Sequence, residues 1–505
     1  LQNILTDYSK DQEAFAILIK GYCHSHKTLQ RVFGKIDDYT ELLLPDNMLQ
    51  TDGFLHLLNT TDAISDKDYQ KVELIGWLYQ FYISEKKDDV FASFKKGKKA
   101  EAKDIPAATQ IFTPNWIVKY MVENTAGKIW LDKHPNSSLK TSMEYLVEND
   151  SDVSSSAVEN SIINSVEDLT LIDPAAGSGH ILVEGFDLIY KMYLEEYYTP
   201  EEAVESILKN NLFGLDIDDR AAQLATFAIL LKAAKVYPAI WAKDWLPNVY
   251  SMPEAADFSE QEIKDFLGKE GADYVEELEA ALRLMKQAKN LGSVMKLELN
   301  DEAKTFIAQQ FTAIKNAEFR DFNIEAIYQK LENYIPVLLL LTKKYTSVVA
   351  NPPYLGYKFL NGQLKQYVEN HYPNTKSDLF AVFQEVLNTI GKKNGKRGII
   401  NQWAWMCIDS YKNFREDFIN NYHTESLLHL GIGVFKEMNT KKVQNVALVY
   451  TNQQENLNLT KCFKLDETYD VIEKERLFLN KEKLILKNFN VLQTIPNAPL
   501  AFWFN

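Results

Sequence analysis

The hydrophobic pattern divides the chain into two regimes. Up to about residue 105 apolar positions recur at helical spacing, most strongly in Glu73-Leu74-Ile75-Gly76-Trp77-Leu78-Tyr79-Gln80-Phe81-Tyr82. A lysine-rich stretch after Phe94 then breaks the pattern, so a helical N-terminal domain is expected over residues 1–105. Past Leu169, short apolar runs alternate with helical segments. Leu169 to Asp173, Leu212 to Ile217, Thr346 to Ala350, Gly398 to Ile400, Leu427 to Gly431 and Val446 to Tyr450 read as strands. His180 to Tyr198, Pro200 to Asn210 and Asp219 to Lys235 read as helices. Strands alternating with helices imply an α/β fold, a largely parallel, doubly wound, Rossmann-like sheet within residues 106–455. Phe258 to about Leu341 is helical and charged, and reads as an insertion over about 255–341. The Ser- and Asn-rich residues 134–168 predict a surface loop, and 456–505 the start of a C-terminal region. The longest apolar run, Ile335 to Leu341, is far short of the ~18–20 residues of a membrane helix, so no membrane partner is expected.

Composition narrows the class. Of 505 residues 46% are hydrophobic and 25% charged, which excludes a mainly disordered chain. Cys23, Cys407 and Cys462 make no disulfide framework and fit a reducing cytoplasm. The net charge of −15 argues against simple coating of nucleic acid. It leaves room for a DNA enzyme, because binding depends on where the positive charges sit. Two basic clusters qualify, Lys95, Lys96, Lys98, Lys99 and Lys103, and Lys392, Lys393, Lys396 and Arg397; each also reads as a solvated loop. Leu1 in place of Met, and the apolar run Leu500-Ala501-Phe502-Trp503-Phe504, suggest a piece of a longer protein.

Three segments carry candidate chemistry. Asp173-Pro174-Ala175-Ala176-Gly177-Ser178-Gly179-His180 joins a strand to a helix, where small residues let backbone approach a ligand. No Gly-Lys-Ser/Thr follows and GxGxxG is absent, so neither a phosphate loop nor a dinucleotide site is indicated; a mere tight turn stays open. Asp216 ends the next strand, as an acid that holds ribose hydroxyls does, although a plain strand-end acid would look the same. It stands 37 residues past Gly179, beyond the ~20 of a dinucleotide fold. Asp218 and Asp219 are its rivals, and Asp219 is read as the helix N-cap. Asn351-Pro352-Pro353-Tyr354 directly follows an apolar strand. Two prolines stiffen the loop, so the Asn351 side-chain carbonyl and the following backbone carbonyl can converge as acceptors on one amine. Tyr354 can stack on the ring that bears it.

Other signals point nowhere. Cys23-His24-Ser25-His26 lacks a second ligand pair, so no metal is expected. Pro45-Asp46 with Glu85-Lys86-Lys87 imitates a nuclease motif, but the region reads as helices. His180 reads as a helix-start residue.

Gln110-Ile111-Phe112-Thr113-Pro114, Asp173 to Gly179, Gly214-Leu215-Asp216-Ile217-Asp218 and Asn351-Pro352-Pro353-Tyr354 occur in that order. They resemble motifs X, I, II and IV of amino-group DNA methyltransferases of the γ arrangement. Glu73 to Tyr82, Ala107 to Asn124 and Arg220 to Ala225 resemble more specifically the PglX-type adenine-specific methyltransferases of BREX phage-defence systems, over about residues 70 to 450. In that family a target-recognition region follows.

The resemblance implies methylation of adenine N6 in double-stranded DNA with S-adenosylmethionine. Phe112, Thr113, Pro114, Asp173 and Gly177 would line the methionine end of the cofactor and Asp216 its ribose; Ala175, Gly179 and Ile217 would also bind it, with Asp378 beside it. Asn351, Pro352, Pro353 and Tyr354 would form the catalytic loop, and Tyr354 and Phe435 would stack on the extruded base; Phe435 reads equally as core. Asp244 and Gly292-Ser293 compete for the cofactor adenine. The sulfonium is already a good leaving group, so no metal is implied. Other phage-defence proteins are implied partners. Alternatives are a restriction-modification enzyme with its nuclease elsewhere, a protein glutamine N5-methyltransferase, and a non-catalytic cofactor-binding DNA sensor.

Overall fold

Nine strands form one sheet in a computed structural model that describes residues 10–34, 44–148, 161–435, 443–452 and 459–503. They are β1 (Leu171–Asp173), β2 (Leu212–Asp216), β3 (Asn248–Ser251), β4 (Tyr345–Ala350), β5 (Gly391–Gln402), β6 (His423–Gly431), β7 (Asn445–Thr451), β8 (Thr460–Lys464) and β9 (Leu484–Lys487). Their order is β3-β2-β1-β4-β5-β7-β6-β8-β9. The first five in that order pair in parallel; β7 runs antiparallel to β5 and β6, and β9 antiparallel to β8. The sheet is therefore largely parallel and doubly wound, as expected. β3, β8 and β9, short and partly polar, are strands that the hydrophobic pattern does not reveal.

The sheet centres on β1, where Ile172 pairs with Phe213 of β2 on one side and Val348 of β4 on the other. The chain winds outward from here in both directions, so the strand order reverses between β1 and β4. A crevice opens at the carboxyl ends of strands at such a switch point. Here those ends carry Asp173, Asp216 and, one residue past β4, Asn351.

Helices His180–Glu195 and Asp219–Val236 connect the inner strands. The N-cap of the second is Asp218, not Asp219: its extended backbone lets its carboxylate accept from the Arg220 N–H at 2.9 Å, while Asp219 already lies inside the helix. Five longer helices between Glu260 and Thr342 form the insertion between β3 and β4. The expected surface loop is partly core. Met143, Tyr145, Val147, Ile163 and Val166 are buried, because Asn124 clamps the Tyr145 carbonyl and the Val147 N–H, each at 2.8 Å. Residues 149–160 of that stretch lie outside the described residues.

The N-terminal helices pack onto the sheet region. Helix Glu73–Lys95 passes so close to the Asp173 to His180 turn that a Cβ on Gly76 would stand 2.6 Å from Ser178 Oγ. Tyr79 donates its hydroxyl to Asp218 at 2.5 Å, and Phe94 stacks on Phe359 at 4.6 Å. Residues 459–503 carry β8 and β9 and add Phe463, Leu465 and Phe502 to the core.

One basic cluster proves internal. Arg397 is buried, and Lys396 bonds Glu425 at 2.6 Å and faces Asp132 at 3.7 Å; Lys128 meets Glu425 at 3.0 Å. The local charge run misleads because strand β5 enters the sheet partway along it: residues 396 and 397 are packed on opposite faces, while Lys392 and Lys393 at its start stay exposed. Burial alone would raise the Glu425 carboxyl, but Lys396 and Lys128 hold it down at about 2. Lys396→Ala is expected to destabilise the fold by about 1–3 kcal/mol, since the nearly buried Glu425 keeps only Lys128 and the half-buried Asp132 loses its cation. Thermal unfolding checks this; a shift corresponding to under about 0.5 kcal/mol would return Lys396 to the surface class.

Candidate active site

The site is built from the turn after β1. Asp173 accepts from the Ala175 N–H at 3.0 Å, which starts the turn. Gly177 takes a φ of +53°, a left-handed conformation open to glycine, and so aims its N–H at Asp216 Oδ2, 2.8 Å away. Asp216 Oδ1 accepts from the Asp218 N–H at 2.9 Å. The ends of β1 and β2 are thereby locked together with both carboxylates inside. Gly179, at φ +86°, serves packing: a Cβ there would lie 2.8 Å from Ala225 Cα, so only glycine lets the two helices meet.

Asp173, Gly177 and Asp216, but not Gly179, line a cleft of about 1060 Å³, counting its mouth toward solvent. Ala175, Ile217, Phe112 and Thr113 share it with Asp173, Gly177 and Asp216. Gly292 and Ser293 line it too, Ser293 Oγ donating to the Pro174 carbonyl at 2.5 Å. Asp244 lies elsewhere, exposed and paired with Arg31, which leaves Gly292-Ser293 as the candidate that reaches the cleft. Burial, with the Asp216 charge adding to it, pushes Asp173 up to about 8; burial pushes Asp216 up to about 6. Two such carboxylates favour a cationic or hydroxyl-bearing ligand.

Asn351 lines the cleft between β4 and the Gln110 to Pro114 segment. Its Nδ2 donates to Thr113 Oγ1 at 2.9 Å and to the Ile111 carbonyl at 3.2 Å. A carbonyl can only accept, so the amide nitrogen must face Ile111. That leaves Asn351 Oδ1 buried with no hydrogen-bond partner among the described residues. Pro353 lines the cleft beside it.

Other expected residues stand differently. Tyr354 is buried away from the cleft lining, its hydroxyl donating to the Ile400 carbonyl at 3.2 Å and accepting from Asn445 at 3.3 Å. Phe435 is buried against it, ring centroids 6.1 Å apart and nearly perpendicular at 74°. The two are brought together, but in an edge contact that leaves no slot for a base. Asp378 caps helix Leu379–Ile390 and accepts from the Leu355 N–H at 3.0 Å; it braces the Asn351 to Tyr354 loop, and Leu379 reaches the cleft instead. Burial pushes Asp378 up to about 7. Pro114 precedes helix Asn115–Val122, and Pro352 is buried; neither lines the cleft.

The sequence reading missed Gly76 and Gln80, which form one wall. The signal was available: a lone glycine inside an apolar, aromatic helix usually marks a close approach. It also passed over His180, which lines the cleft against Phe112, centroids 4.5 Å apart. Glu85, Lys86 and Lys87 lie on a helix, away from any strand, and among the described residues no three His, Cys, Asp or Glu side chains group as a metal site. Nor is any described helix long and apolar enough to cross a membrane.

Residues 210–435 match the family model of the Eco57I restriction-modification methylases. The adenine-specific methyltransferase BrxX of Escherichia coli O9:H4 (strain HS) is 35% identical over 524 residues, covering 98% of this chain and 42% of its own length. The adenine-specific methyltransferase PglX of Lacticaseibacillus casei (strain Zhang) is 34% identical over 503 residues, covering 94% of this chain and 40% of its own. Among solved structures, a cryoEM DrdV–DNA complex shares 13% identity at a TM-score of 0.46, covering 96% of this chain and 40% of that one. The chain spans about two-fifths of the length of the curated relatives it matches. Within that span the chain is similar to BrxX and PglX, and its residues 210–435 match an Eco57I-type methylase domain.

Proposed function

We propose that the protein methylates N6 of adenine in double-stranded DNA, using S-adenosylmethionine, within a restriction-modification or phage-defence system. The observation that carries this is the Asn351 amide, oriented by Thr113 and Ile111 so that an unpartnered acceptor remains at the cleft. The names of the relatives support the same chemistry.

The residues suit this cofactor. Asp216 has room for ribose hydroxyls on oxygens that each already hold one backbone N–H, and Asp173 favours the cationic part. When bound, S-adenosylmethionine supplies an electrophilic methyl on a sulfonium leaving group. Asn351 Oδ1 accepts from one N6 hydrogen and draws the nitrogen lone pair out of conjugation with the ring; for the Pro352 carbonyl to accept the other, it has to reach a cleft that Pro352 does not line. Most of the rate then comes from positioning in a site that excludes water. The base leaves the stack to reach this depth, at a cost of about a few kcal/mol. For Tyr354 or Phe435 to stack on it, their perpendicular pair has to open. The exposed Lys95, Lys96, Lys98 and Lys99 follow the helix that walls the cleft, and are the candidates for phosphate contact.

The Asn351 geometry and the buried carboxylates each give a test. In cells carrying the full-length protein, Asn351→Ala is expected to abolish N6-methyladenine in DNA while cofactor affinity stays within about twofold. Thr113→Val, which leaves the amide held by the longer Ile111 bond alone, should lower kcat by about tenfold, and Thr113→Ser should restore it. Wild-type methylation by Asn351→Ala would make the loop structural.

The second test concerns pH. In the free protein Asp173 is protonated below about 8 and Asp216 below about 6. A cationic ligand favours their ionised forms, so binding releases protons and affinity rises with pH through that window. Calorimetry in buffers of different ionisation enthalpy should show proton release at pH 7, reduced in Asp173→Asn. A flat profile between pH 6 and 8 would place the cation elsewhere.

A further inference from the structure

Nothing in the proposed chemistry uses His180, yet its position is unusual. It opens the 16-residue helix His180–Glu195 and lines the cleft. Its ring packs on Phe112 at 4.5 Å, and neither ring nitrogen has a hydrogen-bond partner among the described residues, although both are shielded from solvent. Burial, then Lys232 and Lys119, push it down to about 3, so the ring is neutral at pH 7, with one N–H to donate and one nitrogen to accept. Leaving both unmade in a buried place is unfavourable, and buried polar groups of this kind are normally satisfied by something.

The surroundings indicate by what. Asp173 and Asp216 make the strand-end side of the cleft acidic. His180 stands instead at a helix N-terminus, where the first backbone N–H groups lack intrahelical partners and the helix dipole favours negative charge. Lys119 and Lys232 are near enough to act on its charge. The carboxylates of the same helix are engaged, Glu184 by Asn115 at 2.8 Å and Asp187 by Lys232 at 2.6 Å. Lys232 is taken up by Asp187 and Glu73, so the helix N-terminus and Lys119 remain, and a neutral donor beside them matches an anionic ligand group. Resting on the cofactor reading above, we infer that His180 is a cofactor-binding residue whose ring N–H donates to the carboxylate of the S-adenosylmethionine amino-acid end. The cleft then separates its ligand's charges, cation and ribose toward the two aspartates and carboxylate toward His180. A nucleoside lacking the amino acid would forgo the second contact.

Decarboxylated S-adenosylmethionine, which lacks only that carboxylate, provides the test. Calorimetry would compare it with S-adenosylmethionine and S-adenosylhomocysteine on the wild-type protein, His180→Ala and His180→Gln. The alanine variant should weaken both carboxylate-bearing ligands by about tenfold while leaving the decarboxylated one nearly unchanged. The glutamine variant, which keeps an N–H donor, should recover part of the loss. The readout is a ratio within one variant, so general loosening of the fold cancels; if His180→Ala does not fold, His180→Asn is compared with the glutamine variant instead. Equal weakening of all three ligands, or of none, overturns the assignment of His180 and leaves the cofactor reading standing. Failure of the wild-type protein to bind any of the three overturns both.

Discussion

The candidate site depends on how one side-chain amide is held. Asn351 Nδ2 is shared between Thr113 Oγ1 and the Ile111 carbonyl, positions 238 and 240 residues away along the chain. Because the carbonyl can only accept, the bond decides which end of the amide faces the ligand. A rotatable asparagine would offer donor and acceptor alternately; this one offers an acceptor. The segment that fixes it is itself fixed from behind, since Lys87 on helix Glu73–Lys95 donates to the Gln110 carbonyl at 2.8 Å. The N-terminal helices thus belong to the site. Gly76 and Gln80 wall it, and Tyr79 ties the same helix to Asp218 at the end of β2.

Electrostatics divides along the same lines. In the cleft, burial outweighs the backbone hydrogen bonds at Asp173 and Asp216, so both carboxyls sit above their usual range and gain from a cation. At Glu425 burial is just as complete, but two lysines outweigh it and hold the group ionised. The first arrangement suits a site that takes up a charged ligand; the second suits a permanent joint between the sheet and the helix carrying Lys128.

Much of this was legible in the sequence. β1, β2 and β4 are short apolar runs ending in Asp173, Asp216 and Asn351, and parallel strands buried on both faces leave that trace. The order of the motifs then placed their ends together. β3, β8 and β9 were not legible, because four or five residues of mixed polarity carry no period. Lys396 and Arg397 were misread as a possible DNA surface, because a charge run shows nothing of the sheet, covered on both faces, into which β5 carries them. Tyr354 and Asp378 were assigned to ligand by motif, whereas the fold uses the first in an aromatic cluster and the second as a helix cap. Neither contact can be seen without the long-range packing that makes it.

A structure of the protein with the unreactive cofactor analogue sinefungin tests the central claim most directly. The account predicts ligand density between Asp173, Asp216 and Gly292-Ser293, with Asn351 Nδ2 still on Thr113 and Ile111 and its Oδ1 free toward the base side. Density in another part of the molecule, or an Asn351 amide turned with its nitrogen into the cleft, would contradict it.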